Sequence, residues 1–322
     1  MGSKLSADLL EAIDKLEGGA HPGFRPFHAK GYMYNGTFAP AADARGLTRA
    51  PHASRPSTPV LVRFSGSSGL PTVAENDAQG AAPQGMAMRF FLDEKTHAHT
   101  DIIAHSHNGF PTRTGEEFLE FLRAAAASGP GAANPPPIAA FLAAHPATKA
   151  FVEAPKSIPS SFARQEYFAI NAFKFTNAQG QSRFGRFRIR PEAGTEFLSA
   201  EALQKKTADF LGAGLSERLS KGPVKFRVLV QLAEAGDPVT DATAVWPESR
   251  TLAEIGTLSV TERVDEFVPW RRMLIYDPVP KVDGIESAGD PITDVRSDLY
   301  LMSGLRRRAA AGLAAPPKSA KK

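Results

Sequence analysis

The chain has 322 residues, 42% of them hydrophobic, so it can bury a core large enough to enclose a cofactor, as one large domain or two smaller ones. Lys and Arg number 38 against 34 Asp and Glu, a net charge of +4 that gives little reason to expect a nucleic-acid partner. Without cysteine the chain has no disulfide, thiolate metal site or cysteine nucleophile, which leaves His, Tyr, Met or carboxylate to hold any metal. No apolar run reaches the roughly 20 residues needed to cross a bilayer, and the N-terminus lacks the apolar core of an export signal. The chain reads as soluble, in a bacterial-type cytoplasm or periplasm, with no membrane partner.

Leu5, Leu9, Ile13 and Leu16 recur at helical spacing and predict an amphipathic helix at the start. Strands are predicted over 60–65, 86–92 and 101–104, where β-branched, aromatic and methionine residues lie between Gly/Pro-rich stretches. Helices follow over 116–127 and 137–144, separated by Ser128-Gly-Pro-Gly and Asn134-Pro-Pro-Pro, which cannot continue a helix. Further strands are predicted over 167–176, 184–190, 224–232 and 255–264, the first two joined by a hairpin turn at 177–180. In Arg183-Phe-Gly-Arg-Phe-Arg-Ile-Arg the alternation predicts Phe inward and Arg outward. This order is not strand–helix alternation, and it predicts an α+β chain built on an antiparallel barrel or sheet with helical insertions. Residues 309–322, rich in Ala, Pro and Lys, read as a mobile tail.

Two constellations carry chemistry. Arg296, Tyr300 and Arg307 fall at intervals of four and seven, on one face if helical. A phenol ordinarily titrates near pH ~10 and ligates ferric iron well as phenolate, so a neighbouring guanidinium has a use there. Spacing alone equally describes a surface helix with one half-buried Tyr. The second constellation is Phe24-Arg-Pro-Phe-His-Ala-Lys-Gly, around His28, followed by Gly36-Thr-Phe.

Arg296-x-x-x-Tyr300 resembles the haem-ligand signature of catalases, and Arg25-x-x-His28-Ala-Lys-Gly resembles their distal motif. Val62-Arg-Phe-Ser, Gly85-Met-Ala-Met-Arg-Phe-Phe, Asn171-Ala-Phe-Lys-Phe-Thr-Asn and Asp241-Ala-Thr-Ala-Val-Trp-Pro resemble further family segments, collinear from about His21 to Arg308. The resemblance implies a catalase-like barrel core enclosing haem b, as a single domain over 1–308. Tyr300 would be the axial tyrosinate supported by Arg296, and His28 the distal proton-transfer residue, its tautomer fixed by Ser65. Arg25, Arg63 and Arg307 would contact the haem propionates, Phe110 would lie near the distal pocket, and Phe118 would stack on the haem.

There are departures from the family pattern. Leu301, Met302 and Ser303 replace its Pro-Asp-Thr, and the distal Asn position falls at His105, with Asn108 the nearest Asn. The chain ends where the family's C-terminal flavodoxin-like domain would begin, so none is expected. The implied function is a haem peroxidase that reduces hydrogen peroxide or an organic hydroperoxide through a ferryl intermediate, using a small organic electron donor. It would be a monomer or small homo-oligomer. A disproportionating catalase and a haem-binding protein without turnover are the alternatives. His97, His99, His105 and His107 are dense enough to suggest a metal site, but they read better as polar strand ends, with His105 free to enter the haem pocket.

Overall fold

The computed structural model describes residues 3–312. Ten strands form one antiparallel sheet: β1 Gly31–Pro40, β2 Thr58–Ser65, β3 Gly85–Asp93, β4 Ala98–His105, β5 Tyr167–Phe168, β6 Phe173–Thr176, β7 Ser182–Pro191, β8 Val224–Leu232, β9 Leu252–Val264 and β10 Ile285–Ser287. Eight of them, in the order β7-β5-β4-β3-β2-β1-β9-β8, close into a barrel through the β7–β8 pairing, and β6 and β10 extend it at the edge of β7. The described helices are α1 Lys4–Leu16, α2 Ala44–Leu47, α3 Ala78–Ala81, α4 Gly115–Ala126, α5 Pro137–Ala144, α6 Pro146–Glu153, α7 Ala200–Gln204, α8 Phe210–Leu219, α9 Pro269–Arg272 and α10 Pro291–Ala310. None is long and apolar enough to cross a membrane.

The predicted helices over 5–16, 116–127 and 137–144 and most predicted strands are present within a few residues. Three differences matter. Strand β1 escapes sequence reading because Gly31, Asn35 and Gly36 dilute its apolar pattern. Gly36 is there because a Cβ would sit 2.6 Å from the Ser259 carbonyl oxygen of β9, and the register shifts at that point. The single strand predicted over 167–176 is two, β5 and β6, both on the same edge of β7. The break between them delivers Ile170 and Asn171 toward the site described below.

The third difference is in β7. Arg186 and Arg188 do not face water but are buried, at 3% and 2% exposure, and Phe184 is exposed. The segment 234–250 covers the outer face of β7. There Arg186 donates to the carbonyls of Asp241 and Ala244 and stacks on Trp246, and Arg188 pairs with Glu166 and Glu248. Sequence alternation shows which residues share a face, not what later covers that face. The tail predicted from 309 lies largely outside the described residues, and α10 runs to Ala310.

The barrel interior is filled by side chains. Phe64 lies 5.3–5.9 Å, ring centre to ring centre, from Tyr34, Phe162, Tyr167 and Phe226. Each fully buried ring contributes roughly 1.5–3 kcal/mol of transfer free energy. Because the interior is full, a ligand site must lie elsewhere, and β2 shows where. Val60, Val62 and Phe64 point inward while Leu61, Arg63 and Ser65 point outward, yet all six are buried. The outer face of β2–β4 therefore has a lid. Helices α1, α4 and α10 supply it, packed on one another through Leu9, Ile13, Leu119, Leu122 and Leu299.

One buried histidine belongs to the core rather than to the site. His52, 1% exposed, lies against Phe90 and Phe38 with neither ring nitrogen hydrogen-bonded, and burial lowers its pKa to about 4. Between pH 6.5 and 4 the unfolded chain binds a proton here that the folded chain does not. Stability from this residue is therefore present above pH 6.5 and lost as pH falls toward 4, by about 3 kcal/mol. His52→Leu is expected to remove that share of the acid destabilisation, seen as a smaller difference between urea melts at pH 7 and pH 4. An unchanged difference contradicts the assignment.

Candidate active site

Between the outer face of β2–β4 and the helical lid lies a cavity with an empty volume of about 1120 Å³, its mouth included. Its walls are mostly apolar, with Ile13 of α1, Phe118 of α4, Ile103 of β4 and Leu299 of α10 among them. All nine residues singled out as site candidates line it: Arg25, His28, Arg63, Ser65, Phe110, Phe118, Arg296, Tyr300 and Arg307.

Helix α10 forms one wall. Asp290 caps its N-terminus, accepting from the Ile292 N–H at 2.9 Å, and Pro291 fits the first turn. The helical period then turns Arg296, Tyr300, Ser303 and Arg307 to the cavity. Gly304 lets the chain at Ile275 lie against this helix, since a Cβ there would meet Ile275 at 2.3 Å. Arg296 Nε donates to the Tyr300 phenol oxygen at 3.2 Å, and its Nη1 donates to Asn171 Oδ1. The Asn171 amide donates to Asp290 at 3.0 Å. A buried chain of polar groups thus runs from the helix cap to the phenol and fixes the guanidinium beside it.

The sheet forms the facing wall, and His28 stands on it. Its φ of 58° is left-handed, a strained conformation for a non-glycine residue, held by the N–H of His28 donating to the Ser67 carbonyl and that of Ala29 to Ser68. The ring Nδ1 lies 2.6 Å from the Gly66 carbonyl oxygen and 3.1 Å from Ser65 Oγ. A carbonyl only accepts, so Nδ1 carries the proton and Nε2 keeps its lone pair. Burial, reinforced by Arg63, lowers the ring to about 4, so it is neutral at pH 7. Sequence reading gave the tautomer to Ser65 alone, and the closer contact is the Gly66 backbone. Gly85 makes room for the ring, since a Cβ there would lie 2.9 Å from His28 Nδ1.

A basic edge closes the cavity. Arg63 donates to the carbonyls of His28 and Ala29, and Arg307 to those of Arg272 and Leu274. Arg63 and Arg25 share one carboxylate, Glu266, at 2.9 and 2.6 Å. Glu266 had no signal in sequence, as it lies 203 and 241 residues from its partners. Three guanidinium groups against one carboxylate leave positive charge over. Burial and the cations Arg25 and Arg63 lower Arg307 to about 8, and buried N–H groups of Arg25 (Nη2) and Arg307 (Nε) have no partner. Such an edge fits a ligand bearing carboxylates.

On the remaining side Phe110 and Phe118 meet at 5.1 Å. Asn108 does not line the cavity and His105 does. The four clustered histidines separate, His97 and His99 lying toward the β3–β4 turn and His105 and His107 at the other end of β4. Among the described residues no group of three or more His, Cys, Asp or Glu is placed to hold a metal ion.

A barrel whose outer face, with a helical lid, encloses a cavity between a tyrosine–arginine pair and a neutral histidine defines a protein of the catalase class. The family model described as Catalase matches residues 9–313, and the chain belongs to that family. It is 36% identical over 313 residues to a catalase-related peroxidase of Mycolicibacterium paratuberculosis, covering 95% of this chain and 97% of that one. It is 30% identical to a catalase-related peroxidase of Synechococcus elongatus, covering 92% and 88%. In fold it is similar to a fungal catalase and to catalase A from Saccharomyces cerevisiae, both with a TM-score of 0.77, at 21% and 20% identity. It spans 59% and 61% of those two chains. The family implies haem, and the residues present fit it: apolar walls for the ring, unpartnered buried guanidinium donors for its carboxylates, and a phenol for its iron.

Proposed function

We propose that the chain is a haem-dependent peroxidase that reduces hydrogen peroxide, or an organic hydroperoxide, with a small organic electron donor. The observation that carries this reading is the pairing, across one apolar cavity, of the Arg296-bonded Tyr300 phenol with a neutral His28 whose Nε2 is free. Tyr300, with the Arg296 guanidinium set against its oxygen, would hold the iron of haem b as tyrosinate. Arg25, Arg63 and Arg307 would hold the propionates, and Phe110 and Phe118 the apolar flank. Bound there, haem would supply the redox chemistry by which one hydrogen peroxide and two donor molecules, each giving one electron and one proton, become two waters and two oxidised donors.

The protein's own part is proton handling. His28 Nε2 takes the proton from one peroxide oxygen and returns it to the other, while Gly66 and Ser65 keep Nδ1–H in place. Burial in apolar walls keeps bulk water from competing for that proton. A steady-state comparison tests the reading: oxidation of a phenolic donor is expected to exceed oxygen evolution from peroxide alone. Oxygen evolution that greatly outpaces donor oxidation would make the protein a disproportionating catalase instead. Gly85→Ala, which must push the His28 ring aside, is expected to lower the rate with peroxide about tenfold. An unchanged rate would show that the position of the ring is not critical.

A further inference from the structure

Gly31, Ser65, Gly85 and His105 stand in register across the four adjacent strands β1 to β4. Residues in register on antiparallel strands share a face, so Ser65 and His105 flank the side-chain-free position at Gly85 over which the His28 imidazole lies. His105 is the last residue of β4 and is anchored there by pairing with Phe168 of β5. The next residue ties the turn back to β3, the Ser106 N–H donating to the Gln84 carbonyl at 2.8 Å and its hydroxyl to the Gln84 side chain at 3.1 Å. This turn aims the His107 N–H at His105 Nδ1, 3.2 Å away.

A ring nitrogen that accepts a hydrogen bond carries no proton. Burial, with Arg296, His107 and His28 nearby, holds His105 well below the usual histidine range, so the ring is neutral and its one proton is on Nε2. That nitrogen takes part in none of the hydrogen bonds among the described residues, and the residue lines the cavity. His28 is the converse, protonated on Nδ1 with its Nε2 lone pair free. The two imidazoles therefore present one acceptor and one donor to the same space.

We propose that His105 is a second catalytic residue on the sheet side of the cavity, donating an Nε2–H hydrogen bond to one peroxide oxygen while His28 accepts the proton of the other. His105 keeps its proton throughout, and only His28 moves one. The complementary pair orients a molecule that is itself both donor and acceptor. This rests on the peroxidase reading above and adds to it the residue that fixes the direction of the peroxide.

Two measurements test it. Nitrogen NMR of the histidine-labelled, haem-free protein at neutral pH is expected to show His105 protonated on Nε2 and His28 on Nδ1. A His105 protonated on Nδ1 overturns the proposal. In the haem-loaded protein, His105→Leu is expected to slow the second-order reaction with hydrogen peroxide about tenfold, while His105→Gln, whose amide retains a donor, stays within about threefold of wild type. Equal slowing in both variants reduces His105 to a packing role and overturns the proposal, as does a Leu variant that matches wild type. In those cases the peroxidase reading stands; a wild-type protein that does not react with peroxide removes both.

Discussion

His28→Ala is expected to slow the reaction of the haem-loaded protein with hydrogen peroxide by about 10²–10⁴-fold, the usual worth of a positioned general base. The haem should remain bound, because its assigned holders, Tyr300 and the three arginines, are elsewhere in the cavity. Rapid mixing with peroxide gives the rate and the absorption spectrum gives the occupancy. The wild-type pH profile supplies a second arm. His28 must be neutral to accept a proton, and its pKa is lowered from 6.5 to about 4, chiefly by burial. The rate should therefore hold as pH falls through 6.5 and decline only near 4. Unchanged peroxide reactivity in His28→Ala with retained haem would remove His28 from the mechanism.

Arg307→Leu is expected to weaken haem binding by about 30- to 4,000-fold, corresponding to the roughly 2–5 kcal/mol lost when one member of a desolvated charge pair is truncated. The argument rests on the basic edge, where Arg307 Nε is buried without a partner and the neighbouring charge is in excess. The haem-free protein should change far less. Losing the hydrogen bonds to the Arg272 and Leu274 carbonyls costs about 1 kcal/mol each, and shedding an under-compensated buried cation offsets part of that. Haem titration and haem-free melting together separate the two effects. Equal haem affinity in wild type and variant would show that Arg307 does not meet the cofactor.

The parts of this site that sequence reveals are those in which neighbours in sequence are also neighbours in the cavity. Arg63 and Ser65 on β2 and the stripe from Arg296 to Arg307 on α10 each sit on one segment whose period sets their direction, and Arg25 and His28 share one short loop before β1. The hidden parts depend on which segment covers which. Asn171 joins Arg296 across 125 residues, and it reaches the site only because the strand predicted over 167–176 breaks. Glu266 and the covering of Arg186 and Arg188 depend on loops that periodicity does not place. The tautomers of His28 and His105 follow from a backbone carbonyl and a backbone N–H, neither of which is encoded in side-chain identity.

If the proposed function is correct, Tyr300 holds the iron of a bound haem. The absorption spectrum of the haem-loaded protein tests it most directly, wild type beside Tyr300→Phe. A ferric high-spin tyrosinate spectrum is expected in wild type and is expected to be lost in the variant. A wild-type protein that takes up no haem, or a Tyr300→Phe variant with the wild-type spectrum, would contradict that assignment.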